Sequence, residues 1–297
     1  MAALTMAYIY RHEIGPSPLG RYRDYVPADV QSVMILNVER LRASALYEHI
    51  DRAASDLSLF GHGELRVLAT GLQDVSRLFH TSDRDGDSLF VLRTARDMPL
   101  REFVTSSADR AIEVREGMQC VTVEDEGATV HVAKTGPALF CLSLTQETLG
   151  SALRRVSGRD RSAVVHSLRR ALRRVRHYDH CYSAISDKHA LTELIEGLRA
   201  VALGVSLGTT TQGEVVFEFA DARHAADGLE ALKEELTKIG KAQEEGTGSA
   251  GESDRPGLEA ARAMLGEAQV SRHGSLVSAV CSIKEGETGT FLQEASR

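Results

Sequence analysis

Apolar residues in this chain fall into short runs of strand length, and longer amphipathic stretches separate them. Val33-Met34-Ile35-Leu36-Asn37-Val38 is almost continuously apolar and predicts a buried strand. Glu39 to Leu57 sets Leu41, Leu46, Ile50 and Ala54 near helical spacing, with Glu39, Arg42, Glu48 and Asp51 between them. That spacing predicts an amphipathic helix packing one stripe on a sheet. Gly61 and Gly63 end it, and Glu64 to Ala69 fits a further short helical turn. Val75–Thr81 and Leu89–Ala95 flank Ser82-Asp83-Arg84-Asp85-Gly86-Asp87, where Asp-Gly supplies the left-handed backbone of a hairpin turn. Asp97 as cap, with Pro99 in the first turn, predicts a short helix to about Ser106. Cys120–Val123, Ala128–Ala133 and Leu139–Leu144 read as a meander broken at Gly127 and Gly136-Pro137, and Gln146–Val156 as a closing helix.

The second half follows the same order. Arg161–Arg176 predicts a helix with Val164, Leu168, Leu172 and Val175 on one face. Cys181–Ile185 reads as a strand, and Asp187 as the cap of a helix over Lys188–Ala200. Val201–Leu207 and Glu214–Ala220 read as a hairpin, and Asp221 as the cap of a long helix to about Lys241. Leu258–Gln269 fits a helix, Leu276–Ile283 a strand rejoining the second sheet, and Phe291–Ala295 a short terminal helix. The resulting fold class is α+β: two related strand–helix–hairpin–helix units with mainly antiparallel sheets covered by helices. The divisions are an N-terminal arm or anchor remnant over 1–24, a first unit with an added meander over 25–158, and a second unit over 159–297. Within the second, residues 244–257 have no apolar side chain larger than alanine apart from Pro256, which predicts a flexible loop.

Composition narrows the functional classes. The chain has 297 residues, 42% hydrophobic and 26% charged, so a sizeable core is available. Aromatics are 5% with no Trp, and the net charge is −7, which together disfavour a nucleic-acid binder. Met1–Tyr10 is apolar but half the length a bilayer span needs, and it lacks the basic start of a signal peptide. It reads as an ordinary arm or as the tail of an anchor lying upstream. Cys120, Cys141, Cys181 and Cys281 stand far apart with no CxxC, and read as buried thiols whose disulfide state the spacing leaves open.

Three clusters carry candidate chemistry. Arg176-His177-Tyr178-Asp179-His180-Cys181 brings together metal-ligand types, with His177, His180 and Cys181 the candidates, although contiguous residues at a helix–strand junction point in different directions. The stretch from Arg154 to Arg176 holds nine Arg and one acid, Asp160. Arg169, Arg170, Arg173 and Arg174 of its helix are candidates for contact with an anionic surface or an acidic partner, or for pairing with the chain's own carboxylates. Asp83–Asp87 resembles a calcium loop only in composition: its Gly is fourth and its flanks are strands, so the hairpin reading holds. No nucleophile elbow, phosphate loop, dinucleotide fingerprint or HExxH motif occurs, so no cofactor is implied and an enzyme is the less favoured class.

Val26-Pro27-Ala28-Asp29-Val30, followed by the Val33–Val38 run and Leu41, Ser44, Ala45 and Leu46, resembles a loosely defined group of uncharacterised bacterial envelope proteins. These occur in planctomycete-like and myxobacterial-like genomes, begin with a VPADA-type sequence and carry a duplicated α/β unit. Val30 stands where they have Ala, and Ala45 where they have Pro. The resemblance implies an envelope location with a soluble, periplasmic or extracytoplasmic body, and a non-catalytic role; the alternative location is cytoplasmic. The leading expectation is a non-enzymatic binding or structural protein of the envelope acting through protein contacts. A hydrolase or metal-dependent enzyme with a dispersed site near His177–Cys181, and an anion-contacting module using helix 161–176, stand as alternatives.

Overall fold

The fold is taken from a computed structural model, which describes residues 19–44, 74–83, 86–104, 111–125, 128–160, 166–175, 179–186, 189–207, 210–244 and 268–284. Met1–Tyr10, the Glu64–Ala69 turn, Asp187, the 245–257 part of the loop and Phe291–Ala295 lie outside the described residues, as do most of the helices predicted from Glu39 and Leu258.

One antiparallel sheet runs through the described chain. Its strands are β1 Ser32–Leu36, β2 Val75–Ser82, β3 Ser88–Thr94, β4 Glu113–Arg115, β5 Met118–Asp125 and β6 Ala128–Gly136. They continue with β7 Leu139–Ser143, β8 Cys181–Ser186, β9 Leu198–Leu207, β10 Thr210–Phe219, β11 Gln269–His273 and β12 Leu276–Lys284. The spatial order is β11-β12-β10-β9-β8-β1-β2-β3-β7-β6-β5-β4. The helices are α1 Val38–Ala43, α2 Leu100–Phe103, α3 Gln146–Val156, α4 His166–Arg174, α5 Ala190–Glu193 and α6 Ala222–Glu244.

The β1–β8 pair joins the two halves, with Met34 opposite Ser183. Its ends are fixed by hydrogen bonds from Asn37 N–H to the His180 carbonyl (2.8 Å) and from Ser186 N–H to the Gln31 carbonyl (2.8 Å). The Ser186 hydroxyl, fully buried, donates to the Val30 carbonyl at 2.6 Å. A hydroxyl buried with its partner in place contributes rather than costs.

Strand alternation sends side chains to two faces. One continuous core lies under α3 and α4, and includes Val33, Phe79, Val91, Cys141, Tyr182, Ala184, Ala202 and Val216. On the opposite face the first half packs Leu78, Phe90, Leu92 and Leu142 with Met98, Leu100 and Phe103, and the Phe103 and Phe140 rings stack with centroids 3.7 Å apart. The second half packs Leu198, Phe219 and Val277 with Ala225 and Leu229 of α6.

Several local expectations change. Asn37 leaves the strand and caps α1, accepting from Arg40 N–H at 3.2 Å. Asp97 does not cap α2; its carboxylate accepts from Lys134 Nζ (2.6 Å) and Ala138 N–H (3.3 Å), tying β6 to the β3 exit. Both contacts hold its pKa below the ordinary value. Thr145 caps α3, whereas Asp221 caps α6 as its sequence position predicts, accepting from Arg223 and His224 N–H at 2.8 and 2.9 Å. Residues 19–25, read as the end of the arm and the start of the first unit, pack inward: Leu19 and Tyr22 are buried, and Tyr22 stacks on Phe79 at 5.0 Å.

The helix predicted over Lys188–Ala200 stops after Glu193, and β9 begins at Leu198. Gly197 makes the switch. Its φ is +74°, and a Cβ there would overlap the His224 ring. Gly228 of α6 has a similar role, since a Cβ there would enter the Phe219 ring. Gly228→Ala is therefore expected to cost about 1–2 kcal/mol, because overpacking of about 1–3 kcal/mol outweighs the gain in helix propensity. Equilibrium urea unfolding checks this; a stabilised variant would contradict the packing.

Candidate functional site

Four places combine side-chain chemistry with a defined position in this fold. The first is the β8 entry. His177 lies outside the described residues. His180 is buried, and its Nδ1 accepts from Leu207 N–H at 3.0 Å. Burial, reinforced by the nearby Arg40, lowers its pKa and favours neutral imidazole. Cys181 stands between Leu36 and Val205, and burial raises its thiol pKa away from the reactive thiolate. Asp179 pairs with Arg40 at 2.6 Å and accepts from the Ser206 hydroxyl at 3.2 Å. Among the described residues no group of three or more His, Cys, Asp or Glu could hold a metal ion.

The second place is α4, which packs on β8, β9 and β10 through Leu168, Ala171, Leu172 and Val175. Strand β10 turns Glu214, Val216 and Glu218 toward that face, and both acids are buried. Arg170 lies 3.2 Å from the Glu218 carboxylate and donates to the Ser275 hydroxyl at 3.1 Å. Burial raises the Glu218 pKa, opposed first by Arg170, then by Ser275, Arg174 and Arg199. Arg169, Arg173 and Arg174 are half-buried, each with its Nε–H enclosed. Arg170 thus meets an internal carboxylate, and Arg174 is near enough to act on its charge.

The third place is a cleft of about 550 Å³ beside α3. Thr148, Ser151 and Arg155 recur at helical spacing along one wall, with Glu147 beside them at the entry. Ala28 and Asp29 approach from the loop before β1, and Thr81, Asp83 and Asp87 come from the β2–β3 turn. Asp87 accepts from the hydroxyls of Thr148 (2.9 Å) and Thr145 (3.3 Å), which pins the turn to the α3 N-terminus. Gly86 takes φ +84° there, as the Asp-Gly reading required.

The fourth place is the turn between α5 and β9. Leu194 is 79% exposed and Ile195 is 43% exposed, beside a cleft of about 330 Å³ walled by Phe219, Gly228 and Ala231. Glu196, Asp227, Arg223 and His224 form its polar margin. His224 Nδ1 lies 2.9 Å from Asp221. Sequence reasoning placed Leu194 and Ile195 inside a helix and so missed this site; Glu196-Gly197 was the available signal that the helix ends.

No protein-family model matches the chain, and no curated protein does. Two solved structures of TP0453, crystal forms I and III, are similar to it at 11% and 12% identity. They cover 95% and 94% of this chain and 98% and 99% of their own, each with a TM-score of 0.49. No described helix is long and apolar enough to cross a membrane.

Proposed function

We propose that this chain is a non-catalytic binding protein of the bacterial envelope that acts through protein contacts, with the α5–β9 turn as its contact surface. The observation that carries the proposal is the exposure of the adjacent Leu194 and Ile195, the latter lining a cleft floored by Phe219 and rimmed by charged side chains. Two adjacent large aliphatics in water cost free energy that burial against a partner recovers, at about 25 cal/mol per Å² of apolar surface. Glu193, Glu196 and Asp227 border them and are exposed, with Arg223 and His224 on the same margin, so the matching partner presents an apolar side chain ringed by polar groups of both signs. The envelope location rests on the resemblance at Val26–Val30 alone.

The two-unit organisation belongs to the same reading. About the β1–β8 pair, the steps β1-β2-β3-β7-β6 and β8-β9-β10-β12-β11 mirror each other in the sheet. α1 and α5 each follow the first strand of a half, and α2 and α6 each follow the hairpin. Duplication accounts for this order, with β4 and β5 as the surplus of the first unit.

A photo-reactive amino acid at position 194, introduced in the native host, tests the contact surface. A discrete crosslinked protein, absent when the probe is moved to the exposed Glu234, is the expected result. Identical products from both positions, or none from position 194, would refute the proposal.

A further inference from the structure

In the sheet the two halves meet at the β1–β8 pair, and its two ends are closed by different chemistry. At one end Ser186 holds Gln31 and Val30 through its amide and its buried hydroxyl, neither of which titrates near neutral pH. At the other end stands His180, 8% exposed. Its carbonyl accepts from Asn37 N–H at 2.8 Å, and its N–H donates to the Val205 carbonyl at 3.1 Å. Its ring Nδ1 accepts from Leu207 N–H at 3.0 Å. One residue thus ties β8 to the α1 cap on one side and to the end of β9 on the other.

The Leu207 contact sets the protonation state of the ring. A backbone amide donates and never accepts, so Nδ1 carries a lone pair and the proton sits on Nε2. An imidazolium has N–H at both nitrogens, and its Nδ1–H would point at Leu207 N–H. The surroundings do not offset this. Burial disfavours the charged ring first, and Arg40 of α1 adds to that. Asp179 opposes them, but its carboxylate is already engaged by Arg40 at 2.6 Å and by the Ser206 hydroxyl at 3.2 Å. Val205–Leu207 of β9 bring no charged side chain, and burial keeps the neighbouring Cys181 a neutral thiol. Among the described residues no cluster of His, Cys, Asp or Glu converges there to hold a metal, and the Nδ1 lone pair is already taken. We infer that His180 is an acid-sensitive latch on the joint between the two halves. Neutral, it closes the α1 end of the β1–β8 pair; on taking a proton it releases Leu207 and opens that end, while Ser186 keeps the other shut. The folded ring holds its proton less tightly than the unfolded chain does. The latch's contribution to stability is therefore complete above the ordinary histidine value of about 6.5, and is lost as the pH falls from there through the lowered one. The latch sits at the Leu207 end of β9, away from the α5–β9 turn, and does not rest on that turn being a contact surface.

Amide hydrogen exchange of the full chain, read by NMR between about pH 4.5 and 7.5 and corrected for the intrinsic rate, tests the inference. As His180 takes its proton, protection of the Leu207 and Asn37 amides should fall at least about tenfold, with that of Ser186 unchanged. His180→Asn keeps an acceptor oxygen for Leu207 N–H but cannot titrate, and should abolish the step. Arg40→Gln removes a charge that disfavours the imidazolium, and should move the step to higher pH. Equal loss of protection at Leu207 and Ser186 would mean acid unfolding of the whole sheet and would overturn the inference. So would Leu207 protection that persists once the His180 ring shifts report the imidazolium, or a step that survives in a folded His180→Asn variant. Should His180→Asn not fold, Arg40→Gln decides in its place; a step unmoved by that substitution would count against the latch.

Discussion

Phe79→Ala is expected to lower the unfolding free energy by about 3–5 kcal/mol, the range for deleting a fully buried ring. Phe79 sits in β2 between Ile35 of β1 and Val91 of β3, is 0% exposed, and stacks against Tyr22. Its removal leaves a cavity walled by two hydrogen-bonded strands and by the 3₁₀ helix Gly20–Tyr25. Backbone held in a ladder relaxes poorly, so the cost belongs at the upper part of that range. In urea the midpoint should fall with the slope unchanged, because the surface exposed on unfolding is nearly the same. A loss under 1 kcal/mol would mean that Tyr22 does not close over the sheet.

Arg170→Ala is expected to cost about 2–3 kcal/mol and to change the pH dependence of stability. Truncating one partner of a buried pair exposes the other to the full desolvation penalty, about 3–5 kcal/mol when both are enclosed. Arg170 is 42% exposed and Glu218 is 6% exposed, so solvent screening of the arginine reduces the figure. The sign with pH follows from the raised pKa of Glu218. Its folded form holds the proton more tightly than the unfolded form, so its contribution to stability is largest at low pH. That contribution is lost as the pH rises from the ordinary glutamate range through the raised value. Without Arg170 the largest opposing influence is gone, the folded pKa rises further, and the loss toward neutral pH deepens. Glu218→Gln should remove this pH-dependent component. Urea unfolding of the parent, Arg170→Ala and Glu218→Gln between pH 4 and 8 reads the difference directly; parallel curves would show that the pair is not coupled.

Where the sequence was legible, the physics was local. The Asp-Gly turn, the Asp221 cap and the strands β2, β3, β8 and β10 follow from alternation, punctuation and hydrogen bonds within a few residues. Strand β4 was missed because Glu113-Val114-Arg115 is short and polar, with Val114 72% exposed; only Glu116-Gly117, both at positive φ, marks its turn. Strand β11 escaped for the same reason, since its residues are almost all exposed and show no alternation. The buried Glu218 of β10 was illegible because its counter-charge comes from α4, more than forty residues away in sequence. Leu191, Leu194 and Ile195 are spaced as a helix would space them, yet the chain turns at Gly197 and leaves the last two in solvent. A local rule broken without a packing reason is where functional sites are found. That is why the failure at residues 188–200 bears on function more than the successes do.

The direct test of the binding role uses the protein captured by the crosslink at position 194. Its contacting segment is titrated into the purified full chain and into Leu194→Asp/Ile195→Asp. The two substitutions lie on an exposed turn and should leave the unfolding midpoint unchanged. The account predicts that affinity falls at least about tenfold, equivalent to about 1.4 kcal/mol. Equal affinity of the folded double variant would contradict it.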